Sequence, residues 1–305
     1  MKFAVEAWAP EYGGSVDGDD LSPSQAKIEL ECEVPLAQWA PLRPAADGAV
    51  PGTVLFTDGV RRIDARVWIE GDDGQTHIGV CASYAAGVIR CDGKAEVVGC
   101  EVQRGLFSSA PGAQPIETRH ATFPVRMAAV DDYGDLALAV QQRMGALEVE
   151  LALSADPADL IVVDGPLTGR QDVPGAIGFV KTHRVGYLPA EQQPVVAALA
   201  AGERTPLFLV SGRWSRWSWY LRLPGPVGHP WAGVVRCEAS GDLETPAAVA
   251  LADGVARTLP RFASSGHKDP RAPQNLYPIA GLERALRRRL GDPLLLYRSL
   301  RRAAA

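Results

Sequence analysis

The residues best placed to do chemistry are two aspartates that follow apolar runs. In VLFTDGV, Val54 to Val60, and in LIVVDGPL, Leu160 to Leu167, a strand-like stretch leads into Asp and then Gly, at Asp58 and Asp164. A bare carboxylate at the end of a buried strand is costly to desolvate unless it is paired or binds a cation. If the two strands are neighbours, both acids project at one sheet edge as hard oxygen ligands, suited to Mg²⁺ or Mn²⁺ and poorly suited to zinc. Two such ions about 3.5–4 Å apart can clamp the attacking and leaving oxygens of a phosphodiester. Asp-Gly after a strand is also an ordinary turn, because both residues favour that backbone. Recurrence on two strands weakens the turn reading without removing it.

The elements that must position these acids follow from periodicity. TVLFT reads as a buried strand, and after an Asp58-Gly59 turn Ile63, Ala65, Val67 and Ile69 alternate with Asp64, Arg66 and Trp68, the period of a strand with one dry face. THIGVCAS, AGVIRC and KAEVVGCEVQ follow at short spacing and predict an antiparallel meander. Leu136, Val140, Met144, Leu147 and Leu151 then recur at helical steps behind the possible N-caps Asp131 and Asp132. LIVVD, GAIGFVK, PLFLVS, RWSWYLRL and AGVVRCE supply further strands, with helical stretches near 190–201, 243–258 and 277–290. The order predicts an α/β domain with a mixed sheet and helices on its faces. Residues 1–50, rich in proline and acids, read as an irregular segment packed on a main domain spanning 51–305.

Those residues resemble the NurA nucleases, RNase H-like enzymes that work with a HerA-type hexameric ATPase. VLFTDGV looks like the family's first acidic strand. LIVVDGPL followed by IGFVKTH looks like its second acidic strand and the lysine-bearing strand beyond, with Lys181 as the lysine. VVRCE, ending at Glu238, resembles a later strand that closes on an acid, and LYPIAGLERAL resembles the closing Tyr-Pro helix. The resemblance covers about residues 50–300. It implies an RNase H-like fold and a manganese- or magnesium-dependent nuclease that degrades DNA from its ends in DNA repair, as a homodimer seated on the ATPase ring.

Carried over by position, Asp58 and Asp164 are metal ligands and Glu238 a further one, while Lys181 meets the scissile phosphate or the DNA backbone. The arrangement also expects a glutamate on the helix between the two aspartates. Glu148 and Glu150 flank that helix's apolar stripe about equally, and Glu148 is favoured. The serine that commonly follows the first Asp-Gly is Val60 here, and no histidine follows His267, which leaves His267 or Asp269 to fill the late position. These departures keep open a second reading, a non-catalytic RNase H-like subunit that guides DNA for such an ATPase. A glycosidase also needs two acids. The lysine strand and the basic C-terminal stretch lower that reading.

SGRWSRWSWYLRL packs three tryptophans and three arginines into the stretch Ser211 to Leu223. Arg213, Arg216 and Trp217 could track and stack on a single strand. Alternation gives a simpler account, with Trp217, Trp219, Leu221 and Leu223 on one dry face and Ser218, Tyr220 and Arg222 facing out. Five cysteines with no CxxC pair read as reduced core thiols. A net charge of −5 hides a local excess of cations, since seven arginines and two acids lie between Glu283 and Arg302. No apolar run is long enough to span a bilayer and the N-terminus lacks a signal-peptide pattern, which makes the cytoplasm the expected location.

Overall fold

A computed structural model describes residues 22–44, 48–129, 131–171, 173–225 and 228–304. Its strands are β1 (Ser22–Pro23), β2 (Lys27–Glu29), β3 (Val54–Glu70), β4 (Thr76–Cys91), β5 (Ala95–Ser108), β6 (Ile116–Glu117), β7 (Thr122–Phe123), β8 (Val125–Met127), β9 (Leu160–Asp164), β10 (Ala176–Val180), β11 (Val185–Gly186), β12 (Phe208–Ser211), β13 (Ser215–Arg222) and β14 (Val234–Ser240). Its helices are α1 (Tyr133–Ser154), α2 (Gln193–Ala198), α3 (Thr245–Thr258), α4 (Tyr277–Arg289) and α5 (Pro293–Ala303). The chain is mixed α/β, with ten strands in its large sheet, and it divides into two compact units. No described helix is long and apolar enough to cross a membrane.

The first unit comprises residues up to Phe56, Cys91–Lys94 and Pro157–Ala280. Its strands run in the order β2-β12-β13-β14-β10-β9 and finish on the first three residues of β3. β9 and β10 are parallel, whereas β10 with β14, β13 with β14, β12 with β13 and β2 with β12 are antiparallel. The segment read as irregular therefore supplies an edge strand. It is fastened by Arg204, whose guanidinium donates to both oxygens of Glu33 at 2.8 and 2.7 Å and to Asp253 Oδ1 at 2.7 Å. Bidentate pairing of this kind offsets the cost of burying the guanidinium, which is only 2% exposed. Residues 1–21 lie outside the described part.

The second unit comprises Thr57–Arg90, Ala95–Asp156 and Gly281 onward, with strand order β3-β4-β5-β8. Here the expected Asp58-Gly59 turn does not form. β3 continues through it for 17 residues, and THIGVCAS and AGVIRC likewise fuse into the 16-residue β4. Turn propensity is a local preference, and pairing along a whole strand overrides it. On one face of β4, Val80, Ala82, Tyr84 and Ala86 pack under Leu136, Val140, Met144 and Leu147 of α1. Burying each of the Val, Leu and Met side chains among them contributes about 1.5–3 kcal/mol. Asp132 caps α1, its Oδ1 accepting from Gly134 N at 2.7 Å and Asp135 N at 3.3 Å. On the other face Cys81 packs with Leu106, Phe123 and Leu300 of α5. β4 is thus covered on both sides. The five cysteines are free: Cys81, Cys91 and Cys237 are buried core thiols, burial pushing Cys81 up to about 12, whereas Cys32 and Cys100 are half-buried and not the core thiols expected.

Candidate functional site

In the first unit β9 delivers Asp164 because Leu160, Val162 and Val163 are buried and the strand pairs in parallel with β10 from Ile161 onward, placing Asp164 opposite Phe179. The strand stops at Asp164. Gly165 adopts φ +99° and donates its N–H to Phe179 O at 2.9 Å, a conformation other residues resist. Its carbonyl and Leu167 N pass so near Gly178 that a Cβ there would lie 2.9 Å from each. Two glycines therefore let the 165–167 turn lie down on β10.

Lys181, just past β10, reaches back to this turn. Its Nζ donates to Asp164 Oδ2 at 2.6 Å and to Asn275 Oδ1 at 3.1 Å. Asn275 in turn donates from Nδ2 to Asp269 Oδ2 at 2.8 Å, and Asp269 Oδ1 accepts from Arg271 N at 2.8 Å. Because an ammonium can only donate, the amide orientation of Asn275 is fixed by the chain of bonds. Asn275 and Asp269 are 0% and 4% exposed, so the lysine is held by an ordered interior group. Asp164, Lys181 and Arg271 line a cavity of about 310 Å³. Asp164 Oδ1, itself buried, has no donor among the described residues.

In the second unit Asp58 lies within β3 and is 8% exposed, its Oδ1 accepting from Gly59 N at 2.8 Å. Glu148 of α1, 3% exposed, comes up against the same dipeptide: a Cβ on Gly59 would collide with Glu148 Oε1 and lie 2.9 Å from Met144 Cγ. Glu150 is exposed, so of the two glutamates on that helix Glu148 is the one turned inward.

Other expected site residues have different employment. Glu238, assigned to a metal, has both oxygens taken. Oε1 accepts from Arg236 Nη1 and from Arg216 Nε at 2.9 Å, and Oε2 accepts from Leu167 N at 3.0 Å. Burial would raise its pKa, but the charges of Arg236 and Arg216 outweigh it and hold the carboxyl below its ordinary value. Glu238 therefore fixes the turn after Asp164 rather than offering ligand oxygens. The same ion pair engages Arg216, which is also near Tyr187 and Trp214, and removes it from the set available to phosphate. Trp217 is 6% exposed and its indole N–H donates to Leu243 O at 2.9 Å, so its ring has no open face on which a base could stack. Nor is Ser218-Tyr220-Arg222 an outer face, being 0, 1 and 2% exposed. β13 is buried on both sides, and Arg222 is held there by donating to the carbonyls of Ala232 and Pro230. Arg213 and His267 are exposed. Asp269 reaches Lys181 through Asn275, with its own oxygens accepting from Asn275 and Arg271.

Sequence reasoning missed Asn275 and Arg271. Asn275 precedes the Tyr-Pro helix by two positions, but nothing local signals that it faces Lys181. As a cation site, Asp164 fits through an acceptor oxygen that lacks a donor, the kind of hard ligand a divalent ion takes. Among the described residues no three His, Cys, Asp or Glu side chains form a ready cage. A scan of the chain against protein-family models finds no match, and a search of curated proteins finds none either.

Proposed function

We propose that the chain is a divalent-metal-dependent DNA nuclease of NurA type with an RNase H-like core. In this reading it hydrolyses phosphodiesters from DNA ends with Mn²⁺ or Mg²⁺, as a homodimer working with a HerA-type hexameric ATPase. In the first unit the carboxylate assigned to the ion is Asp164, and the acidic pair assigned to the reaction in the second unit is Asp58 with Glu148. Lys181 is assigned to the phosphate as a point charge, held in place by Asn275 and Asp269. The observation that carries the reading is the Asp164 carboxylate, with one oxygen on Lys181 at 2.6 Å and the other buried without a donor. The ion, when bound, supplies charge stabilisation and an activated water. Linear DNA incubated with Mn²⁺ tests it. Asp58→Asn and Asp164→Asn should each lower cleavage by roughly 10²-fold or more, and rates equal to wild type overturn the assignment.

One observation favours a second reading, a non-catalytic subunit that guides DNA for the ATPase. Lys181 already neutralises the charge that Asp164 would offer a cation. Under that reading DNA binds in the presence of the ATPase and stays intact with every divalent metal. Metal-dependent product formation excludes it.

A further inference from the structure

A second concave surface lies wholly in the second unit, between the β6–β7 turn and α5. It encloses about 590 Å³, a volume within the usual range of small-ligand sites. Arg119 and His120 line it from the turn, and Leu295, Arg298 and Arg302 line it from the helix. Against these three guanidiniums the lining contains one carboxylate, Glu117. None of the three guanidiniums has a hydrogen bond or ion pair among the described residues. Arg287 of α4 shows the contrast, since it is paired with Glu283 at 2.8 Å.

Both walls are fixed. Thr118 Oγ1 donates to Ala121 O at 2.8 Å and accepts from Ala121 N at 3.0 Å, which holds the turn that presents Arg119. Asp292 caps α5 through Leu295 N at 2.8 Å, and Leu296 and Leu300 are buried beneath the helix. Arg298 and Arg302 are four residues apart and so share one helix face, where like charges disfavour each other. An anion between them and Arg119 reverses that sign. Planar guanidinium forks match the oxygens of a phosphoryl group in pairs.

We propose that this cavity binds phosphoryl oxygens, carried either by a small phosphate-bearing molecule or by the backbone of a nucleic acid strand. The proposal does not rest on the hydrolysis reading, and it is tested without metal. The full chain is titrated in EDTA at low salt with inorganic pyrophosphate by calorimetry. In parallel, a fluorescein-labelled single strand of about 12 nucleotides is followed by anisotropy. Arg119→Ala/Arg298→Ala/Arg302→Ala should weaken whichever ligand binds by about tenfold or more. For the oligonucleotide it should also shrink the salt slope of log K by about 2. Saturable pyrophosphate binding lost in the variant identifies a small-anion site, and loss confined to the oligonucleotide identifies a strand site. Failure of both ligands to bind the wild type, or binding by the variant equal to wild type, overturns the proposal. Should the triple variant prove unfolded by circular dichroism, Arg298→Gln/Arg302→Gln, which keeps the side-chain bulk on an exposed helix face, decides by the same criteria.

Discussion

Asp164-Gly165 and Asp58-Gly59 carry the same two residue types after apolar runs, yet their glycines answer opposite demands. Gly165 is required by its backbone, which turns at φ +99° with no atom within 4 Å of where a Cβ would stand. Gly59 is required by its surroundings, since the strand runs straight through it while Glu148 and Met144 occupy the space a Cβ would need. The aspartates differ in the same way. Asp164 leans on a single cation and leaves an oxygen without a donor, whereas Asp58 is folded onto its own strand through Gly59 N. A dipeptide motif thus specifies neither a turn nor a site until the pairing of its strand is known.

Glu238 sets the upper end of this comparison, being the strand acid with every oxygen satisfied. Glu238→Gln leaves the guanidinium of Arg236 buried without its counter-charge and should cost about 3–5 kcal/mol in chemical denaturation. Its acid dependence has a definite sign. The folded carboxyl is held below the ordinary value of 4.5, so its contribution is full above that pH and is lost as pH falls through the lower folded value. The Gln variant should lack this acid limb. A loss under 1 kcal/mol would mean that the network is not the anchor of the Asp164 turn.

Next in size is Gly59→Ala, expected to destabilise by about 2–3 kcal/mol through overpacking. Adding Glu148→Ala removes the colliding oxygen and should restore part of that loss, a coupling read from a double-mutant cycle. Gly165→Ala should cost about 1–2 kcal/mol from backbone strain alone. Glu148→Ala should not relieve it, because no neighbour crowds that position. Equal rescue of both glycine variants would erase the distinction drawn between them.

These contrasts also show why parts of the molecule were legible from sequence. α1 was readable because its information is local: a cap at Asp132 and a stripe from Leu136 to Leu147 that is buried throughout. The inward turn of Glu148 was not fixed by the stripe, which Glu150 flanks as well, and depends on Gly59 on another element. Arg216 and Arg222 looked like surface charges because their partners, Glu238 and the Ala232 carbonyl, lie on or near a strand that comes later in the chain. α5 was passed over although Asp292-Pro293 is a helix-start signal, an acidic cap before proline at the first position. Asn275 had no such signal, as its partner Lys181 lies 94 residues earlier.

The smallest effect on folding is expected where the effect on chemistry should be greatest. Asp164→Asn keeps an oxygen that can accept from Lys181, and Lys181 keeps its bond to Asn275, so the loss should be about 1 kcal/mol. The neutral amide, however, no longer offers a hard anionic oxygen to an ion or balances the lysine. Lys181→Met separates the two roles, removing the positive charge while leaving the Asp164 carboxylate free to ligate. On the nuclease reading Asp164→Asn abolishes Mn²⁺-dependent cleavage, whereas Lys181→Met binds Mn²⁺ at least as tightly as wild type while cleaving more slowly. If Asp164→Asn instead unfolds the protein as readily as Glu238→Gln does, its carboxylate is a structural anion like Glu238, and the difference between a closed acid and an open one disappears.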